Sequence, residues 1–442
     1  MFLPDHIRAC IDRLENAGFA AYAVGGCVRD SLLGLIPHDY DLCTAATPEQ
    51  IREVFCDHRL VLAGEKHGTV TVIINHEPVE ITAFRTEGDY KDNRHPSWVR
   101  FVTDIESDLS RRDFTVNAMA YSPYRGFADP FGGQEDLKNR CLRAVGDPTR
   151  RFTEDALRIL RGVRFSVRYQ LSVEENTFSA MMELAPLMDR LARERVFDEL
   201  CGLLPIIQMD DLLRFRSILT QVIPELAPMV GFDQKNPHHT LDIYAHTAQV
   251  VQNVPSALPI RWAALLHDIG KPGCFTLDEA GRGHFLGHAK VGAEMSNAVL
   301  LRLKAPTALR QQVVSLVHRH MTPLEADKKI LRRRLGAYGI QETWDLLALQ
   351  QADFLSKGTK EETDHFQQVA LLLRQLQEED SCLSVKDLAI NGSDLIALGF
   401  VPGPKIRHCL ESLLQDIQNE TLTNQKDALL EAAKAYLSGG TL

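Results

Sequence analysis

The sequence predicts an α/β domain followed by a chain that stays helical to its end, and three observations carry that expectation. Residues 1–146 alternate short β-branched runs with amphipathic stretches. From about Asp147 the apolar residues fall at i, i+3 and i+4, with few β-rich runs between them. The chain has 442 residues, too many for one compact core, so roughly two to four domains are expected. We therefore read an α/β head at 1–146 and three helical regions at 147–230, 231–370 and 371–442. The joints fall near GDPTR (146–150), GFDQKNPHH (231–239) and an acid-rich stretch ending at Ser381.

Element by element, the head opens with a helix at about 5–17, then the strand AYAVGG, a second helix and the strand DYDLCT. The helix PEQIREVF follows, and VTVIIN and PVEITAF read as a paired ladder, each rich in β-branched residues. In the helical part EDALRILRGVRFSV, ENTFSAMMELAPLMDRLARERVFDELCGLL and IRWAALLHDIG keep the 3.6-residue period. No repeat at a fixed period occurs.

Composition narrows the function classes. Hydrophobic residues make up 45% and charged residues 24%, which excludes collagen-like and disordered readings. Nine scattered cysteines, an odd number with no C-x-x-C pair, indicate neither a disulfide framework nor a cysteine zinc site, so a reduced, cytoplasmic setting is expected. An acid-bearing N-terminal helix without an apolar h-region, and no apolar run of membrane length, predict neither secretion nor membrane insertion. The net charge of −10 argues mildly against a nucleic-acid partner. Between Arg140 and Arg168, however, eight arginines face three acids, a local +5 that predicts a basic face.

Residues 23–42 carry the most specific chemistry. A strand runs into the Gly25-Gly26 turn, where backbone N–H groups can approach a polyphosphate, and Arg29 lies one helical turn further on as a counter-charge. Asp39 and Asp41, two apart on a second strand, are expected on one face, where they can share Mg²⁺. Glu80 in VEITAFR alternates correctly to supply a third carboxylate. Paired carboxylates of this kind suit two-metal nucleotidyl transfer.

The series GGCVRDSLLG, HDYDL, GEKHGTVTV, VEITAFR, SRRDFTVNAMAY, DPFGGQEDL, RFTEDALRILRGVRFSV and RERVFDEL resembles, in order, the class II CCA-adding tRNA nucleotidyltransferases of the bacterial type. The resemblance implies a polymerase-beta-like nucleotidyltransferase head, a nucleotide-selecting neck, a helical body and a tail that binds tRNA. It also implies the tRNA 3′ end, CTP and ATP as partners, with Mg²⁺ on Asp39 and Asp41. Ribose and triphosphate contacts carry over to Arg112, Asp113 and Asn117.

Asp155, Arg158, Arg161 and Arg164 stand at steps of three and are expected on one helix face, where an acceptor and a donor can match a base edge. The resemblance gives Asp155 and Arg158 to the base and Arg161 and Arg164 to the triphosphate. The polar segment 84–101 is the kind that members adding the terminal A possess. An A-adding enzyme remains the nearest alternative. A poly(A) polymerase is less favoured, because AGEKHGTV stands where its basic turn is expected. A phosphohydrolase or RNA-binding protein with an inactive head is the reading from another class.

A second constellation, His246, His267-Asp268, His288, His318 and Asp353, follows the order of an HD domain, with LLHDIGK as its signature. Imidazoles and carboxylates from several helices suit a second divalent metal and phosphoester hydrolysis. His284 and His320 are further candidates. Gly403-Pro404 with Lys405 and Arg407, and the KKILRRRLG run at 328–336, are candidate tRNA contacts. The oligomeric state is left open between monomer and dimer.

Overall fold

The computed structural model describes residues 1–88, 98–235, 241–357, 364–378, 384–419 and 421–437. They form two compact units: residues 1–207 with 211–227, and residues 208–210 with 228–442.

Up to residue 128 the described part of the first unit holds nine strands, β1 (Ala21–Val24), β2 (Asp41–Thr44), β3 (Arg59–Val61), β4 (Thr69–Ile74), β5 (Glu77–Ala83), β6 (Arg85–Glu87), β7 (Val99–Phe101), β8 (Ala120–Ser122) and β9 (Gly126–Ala128), and a short parallel pair, Cys141–Leu142 with Ser172–Val173, follows further on. Seven of the nine form one sheet in the order β3-β4-β5-β2-β1-β8-β9, while β6 and β7 pair separately. The sheet is mixed, because β2 runs parallel to β5 and antiparallel to β1. Helix α1 (Asp5–Asn16) buries Ile7, Cys10, Ile11 and Leu14, a stripe that packs towards β1. Helix α2 (Gly26–Leu32) follows the glycine turn, and α3 (Pro48–Val54) opens with a capping box between Thr47 and Gln50. The ladder expected from VTVIIN and PVEITAF is the β4–β5 hairpin, with Val70 opposite Ile81 and Val72 opposite Val79, all four fully buried.

After α4 (Ile105–Ser110) a single 3₁₀ turn, Thr115–Asn117, leads into β8, and α5 (Gly133–Lys138) lies against that turn. Helices α6 (Pro148–Glu154), α7 (Leu157–Tyr169), α8 (Glu175–Leu184) and α9 (Arg193–Leu203) complete this part, with α7 packed on α9. The segment expected as one helix, RFTEDALRILRGVRF, is therefore two. Asp155 sits at the break with φ −144° and ψ 102°, and its carboxylate accepts the Leu157 N–H at 3.0 Å. A carboxylate beside its own backbone competes with the helical ladder and caps the next helix instead.

The helices α10 (Met209–Arg214) and α11 (Arg216–Val222) follow. In the second unit α12 (Ile243–Asn253), α13 (Leu258–Leu266), α14 (His288–Arg302), α15 (Thr307–Arg319), α16 (Lys328–Tyr338) and α17 (Ile340–Leu355) pack together, most closely α14 on α15. Next, α18 (Asp364–Glu378) runs through the joint expected at 370, since Val369, Leu373 and Leu376 form one buried stripe. The last three helices, α19 (Gly392–Ala397), α20 (Pro404–Gln418) and α21 (Lys426–Leu437), close their own apolar cluster around Leu395, Cys409, Leu413 and Leu429. Among the described residues no helix is long and apolar enough to cross a membrane.

Gly133 sets how close α5 comes to the Thr115–Asn117 turn: a Cβ there would lie 2.3 Å from the Thr115 carbonyl oxygen and 2.8 Å from Met119. Gly133→Ala is expected to lower stability by roughly 1–3 kcal/mol through overpacking, read as a lower urea midpoint, and to disturb the Asn117 turn with it.

Candidate active site

Asp39, Asp41 and Glu80 line one cleft of about 660 Å³ in the first unit, together with His38 and Tyr40. Asp41 is the first residue of β2 and stands opposite Val24. Leu42 pairs with Ile81, so Asp41 and Glu80 are the neighbouring positions on two parallel strands. Asp39 lies outside the strand that was expected to carry it. The ladder stops at Asp41 because its partner strand ends at Val24, where Gly25 turns the chain at φ +78°. The pair thus faces the cleft through a strand residue and the loop before it. Desolvation raises the Asp41 carboxyl above its ordinary value; Arg112 pulls it down and Asp39 adds to the rise. A divalent cation would relieve that like-charge crowding, and an all-oxygen donor set suits Mg²⁺.

The glycine turn adjoins this cleft. Gly25 donates its N–H to the Met119 carbonyl at 3.0 Å, and a Cβ on it would meet Arg112 Nη1 at 2.9 Å. Arg112 therefore lies directly over the turn. Its Nε–H is buried and without a hydrogen-bond partner. Arg29 is placed differently from the counter-charge expected of it. It is buried at 6% exposure, pairs with Asp30 at 2.7 Å, donates to Asn117 Oδ1 and the Tyr169 hydroxyl, and stacks 4.1 Å from the Tyr169 ring. Here it braces the turn from behind.

Asp113 is the most heavily engaged carboxylate of the site. It accepts the Phe114 N–H at 2.8 Å, Asn117 Nδ2 at 3.1 Å and Arg161 Nε at 2.8 Å, and Arg161 Nη2 stands as an ion-pair partner 2.7 Å from Oδ2. Burial raises its pKa, but Arg161, Asn117 and Arg158 outweigh that and hold it at about 2. Arg164 turns instead to Glu199, at 2.6 Å. Asp155 accepts Arg195 Nη2 at 2.8 Å, while Arg158 donates to Glu154 at 3.0 Å, to the Arg151 carbonyl and to the Arg111 carbonyl. The structure thus brings Asp113, Asn117, Arg158 and Arg161 together. It also adds Glu154, Arg195 and Glu199, which the sequence reading left unassigned. Their signal was the four-residue spacing of Arg195 and Glu199 in RERVFDEL, which puts both on one face of α9.

In the second unit, His246 on α12, His267 and Asp268 just after α13, and His288 at the start of α14 converge with Asp353 on α17. The fourth imidazole is His320, not His318: His320 is buried where α15 ends, whereas His318 is exposed. Two positions along a helix are about 200° apart, so only one of the two can face the cluster. Nε2 atoms of His246, His267, His288 and His320 lie 3.7, 3.2, 3.5 and 3.9 Å from Asp268 carboxylate oxygens. His267, His288 and His320 each turn Nδ1 to a backbone carbonyl three residues back, which aims Nε2 inward. Two ligand groups result, His246–His267–Asp268 and Asp268–His288–His320. Asp268 Oδ2 also lies 2.7 Å from Lys271 Nζ, so a buried ammonium already stands beside the carboxylate that these imidazoles face.

Comparison with known proteins bears on both units. The Poly A polymerase head domain family matches residues 21–143, the family described as the probable RNA and SrmB-binding site of polymerase A matches 170–229, and tRNA nucleotidyltransferase domain 2 matches 283–433. The CCA-adding enzyme of Latilactobacillus sakei is 34% identical over 437 residues, covering 98% of this chain and 99% of that protein. This chain belongs to the CCA-adding enzymes. The Streptococcus sanguinis CCA-adding enzyme is likewise 34% identical, over 97% of this chain and 95% of its own length. Among solved structures, the Bacillus stearothermophilus CCA-adding enzyme in complex with CTP matches with a TM-score of 0.72 and 26% identity, over 99% of this chain and 98% of that one. The α/β head and the helical remainder are thus those of a CCA-adding enzyme.

Because the Asp113 carboxyl falls from 3.8 to about 2 on folding, its ionised form stabilises the protein above pH 4, and that contribution is lost as the pH falls through about 2. Asp113→Asn is expected to lower the unfolding free energy at pH 7 by roughly 2 kcal/mol, read from urea titrations, with the gap to wild type closing between pH 4 and 2.

Proposed function

We propose that this chain builds and repairs the 3′-terminal CCA of tRNA, adding C twice from CTP and A once from ATP without a nucleic-acid template. The observation that carries it is the cleft in which Asp39, Asp41 and Glu80 meet, with the Gly25 turn under Arg112 beside it, in a chain aligned with CCA-adding enzymes along nearly its whole length. In the reaction the tRNA 3′-hydroxyl attacks the α-phosphorus of the nucleotide and pyrophosphate leaves. Mg²⁺ held by Asp39 and Asp41 would supply charge neutralisation there and lower the pKa of the attacking hydroxyl.

The protein's own groups do the rest. Arg112 and the backbone of the glycine turn hold the triphosphate, and Asn117 and Asp113 hold the ribose end. Asp155 and Arg158 read the base edge. Each Asp155 oxygen accepts one protein hydrogen bond and keeps a free lone pair, and Arg158 keeps Nε–H and one Nη2–H beyond its contacts to Arg151, Glu154 and Arg111. Arg161 acts through Asp113, and Arg164 is set by Glu199. The residue ranges 1–146 and 147–230 serve as head and neck in this reading, and the body passes into the tail after α18 rather than at 370, with Lys405 and Arg407 on the tRNA. The part of segment 84–101 between 89 and 97 lies outside the described residues.

Incubation of tRNA lacking CCA with labelled CTP alone should add two residues, and ATP should then add one. No extension by CTP would make the enzyme A-adding; long A tracts on unstructured RNA would make it a poly(A) polymerase. Asp41→Ala should abolish incorporation with the circular-dichroism melt unchanged, and retained incorporation would overturn the carboxylate assignment.

A second activity, phosphoester hydrolysis in the body, is favoured by the convergence of four imidazoles on Asp268. A divalent metal there would polarise a phosphoester and activate water. His320→Ala should lose bound Mn²⁺ or Ni²⁺ by elemental analysis and His318→Ala should keep it. Absence of phosphate release from p-nitrophenyl phosphate with Mn²⁺, Ni²⁺ or Mg²⁺ would remove hydrolysis.

A further inference from the structure

Asp108 is a fully buried carboxylate on α4 that no motif reading singled out. Its Oδ1 accepts three hydrogen bonds: the backbone N–H of Arg85 at 3.2 Å, and Arg111 through Nε at 3.0 Å and Nη2 at 2.9 Å. Its Oδ2 faces Arg112 Nη2 at 3.6 Å, too long for a hydrogen bond, and has no other hydrogen-bond partner. One charge therefore touches three structural neighbours. Arg85 begins β6, which pairs with β7. Arg111 offers its carbonyl to Arg158 at 3.0 Å and lines a cleft of about 320 Å³ together with Thr86, Ser107 and Arg151. Arg112 lies over Gly25 and acts on Asp41.

We propose that Asp108 is a positioning residue for nucleotide binding, setting Arg112 over the glycine turn and, through Arg111, the carbonyl that fixes Arg158. This rests on the reading of Arg112 and Arg158 as nucleotide-binding groups. Removing a buried charge from beside arginines costs far more than losing a surface pair, because it leaves them desolvated without their counter-ion. A purely structural carboxylate would show that cost in stability alone. A positioning one also shows it in substrate affinity, and only while the arginine it orients is present. The long contact to Arg112 and the unpartnered Arg112 Nε–H fit the second case: the guanidinium is held by charge, with a donor left uncommitted.

The test is a double-mutant cycle on the full chain, with steady-state CTP and ATP incorporation into tRNA as readout. Asp108→Asn keeps the size and one acceptor but removes the charge. It should raise KM for both nucleotides about tenfold with kcat changed less than threefold, whereas in the Arg112→Ala background it should add less than twofold. An unchanged KM, or equal factors in both backgrounds, would overturn the proposal. If Asp108→Asn does not fold, Arg111→Lys, which keeps the charge but loses the two-pronged contact, should raise KM severalfold and do so non-additively with Arg158→Lys; additive effects there would overturn it. Wild-type protein that fails to incorporate CTP would instead sink the nucleotidyl-transfer reading.

Discussion

The first unit depends on one buried ion pair. Asp113, at the start of the turn into β8, meets Arg161 of α7 through one hydrogen bond and a second ion-pair contact to the same oxygen, and it also accepts Asn117. A lone carboxylate in that place would be protonated or would not be tolerated, since burial opposes its charge. Arg161 makes the charge permissible, and so the sheet and the long α7 are held in one register. Asn117 is then fixed on both sides, to Asp113 and to Arg29, and Arg29 in turn stacks on Tyr169 at the far end of α7. The glycine turn, the carboxylate cleft and the base-reading groups are thereby referred to a common frame.

The same economy settles the charge question. The eight arginines between Arg140 and Arg168 suggested a basic face, but most of them are answered inside the fold. Arg143 meets Asp136 and Glu174, Arg150, Arg151 and Arg158 share Glu154, Arg161 takes Asp113, and Arg164 takes Glu199. Several of the answering acids, Asp113, Asp136, Glu174 and Glu199, lie outside the counted window. The local +5 is therefore mostly a network that orients guanidinium groups, and such a network spends its charge on geometry rather than on a broad field.

In the body the corresponding device is the histidine Nδ1–carbonyl bond. Three imidazoles are turned the same way by a carbonyl three residues behind them, so their Nε2 atoms converge on Asp268 from different helices. Burial and the nearby His267 lower the His320 pKa to about 4, which keeps that ring neutral and able to accept a cation at neutral pH.

Much was legible in the chain alone: the alternation of short strands and helices up to 146, the hairpin of VTVIIN and PVEITAF, the glycine turn and the carboxylates Asp39, Asp41 and Glu80. These depend on local period and local chemistry, which sequence records directly. What only the tertiary structure decided is everything set by partners distant in the chain. Asp39 falls outside β2 because β1 ends at Val24; Asp155, whose local capping breaks the helix, is oriented by Arg195 forty residues on; His320 replaces His318 because the phase of α15 points one ring inward. Arg29 becomes a buried brace, and Asp108 becomes the hub of two arginines, for the same reason: whether a charged side chain faces substrate or interior is fixed by what packs against it, and that information lies in residues about 20 to 140 positions away.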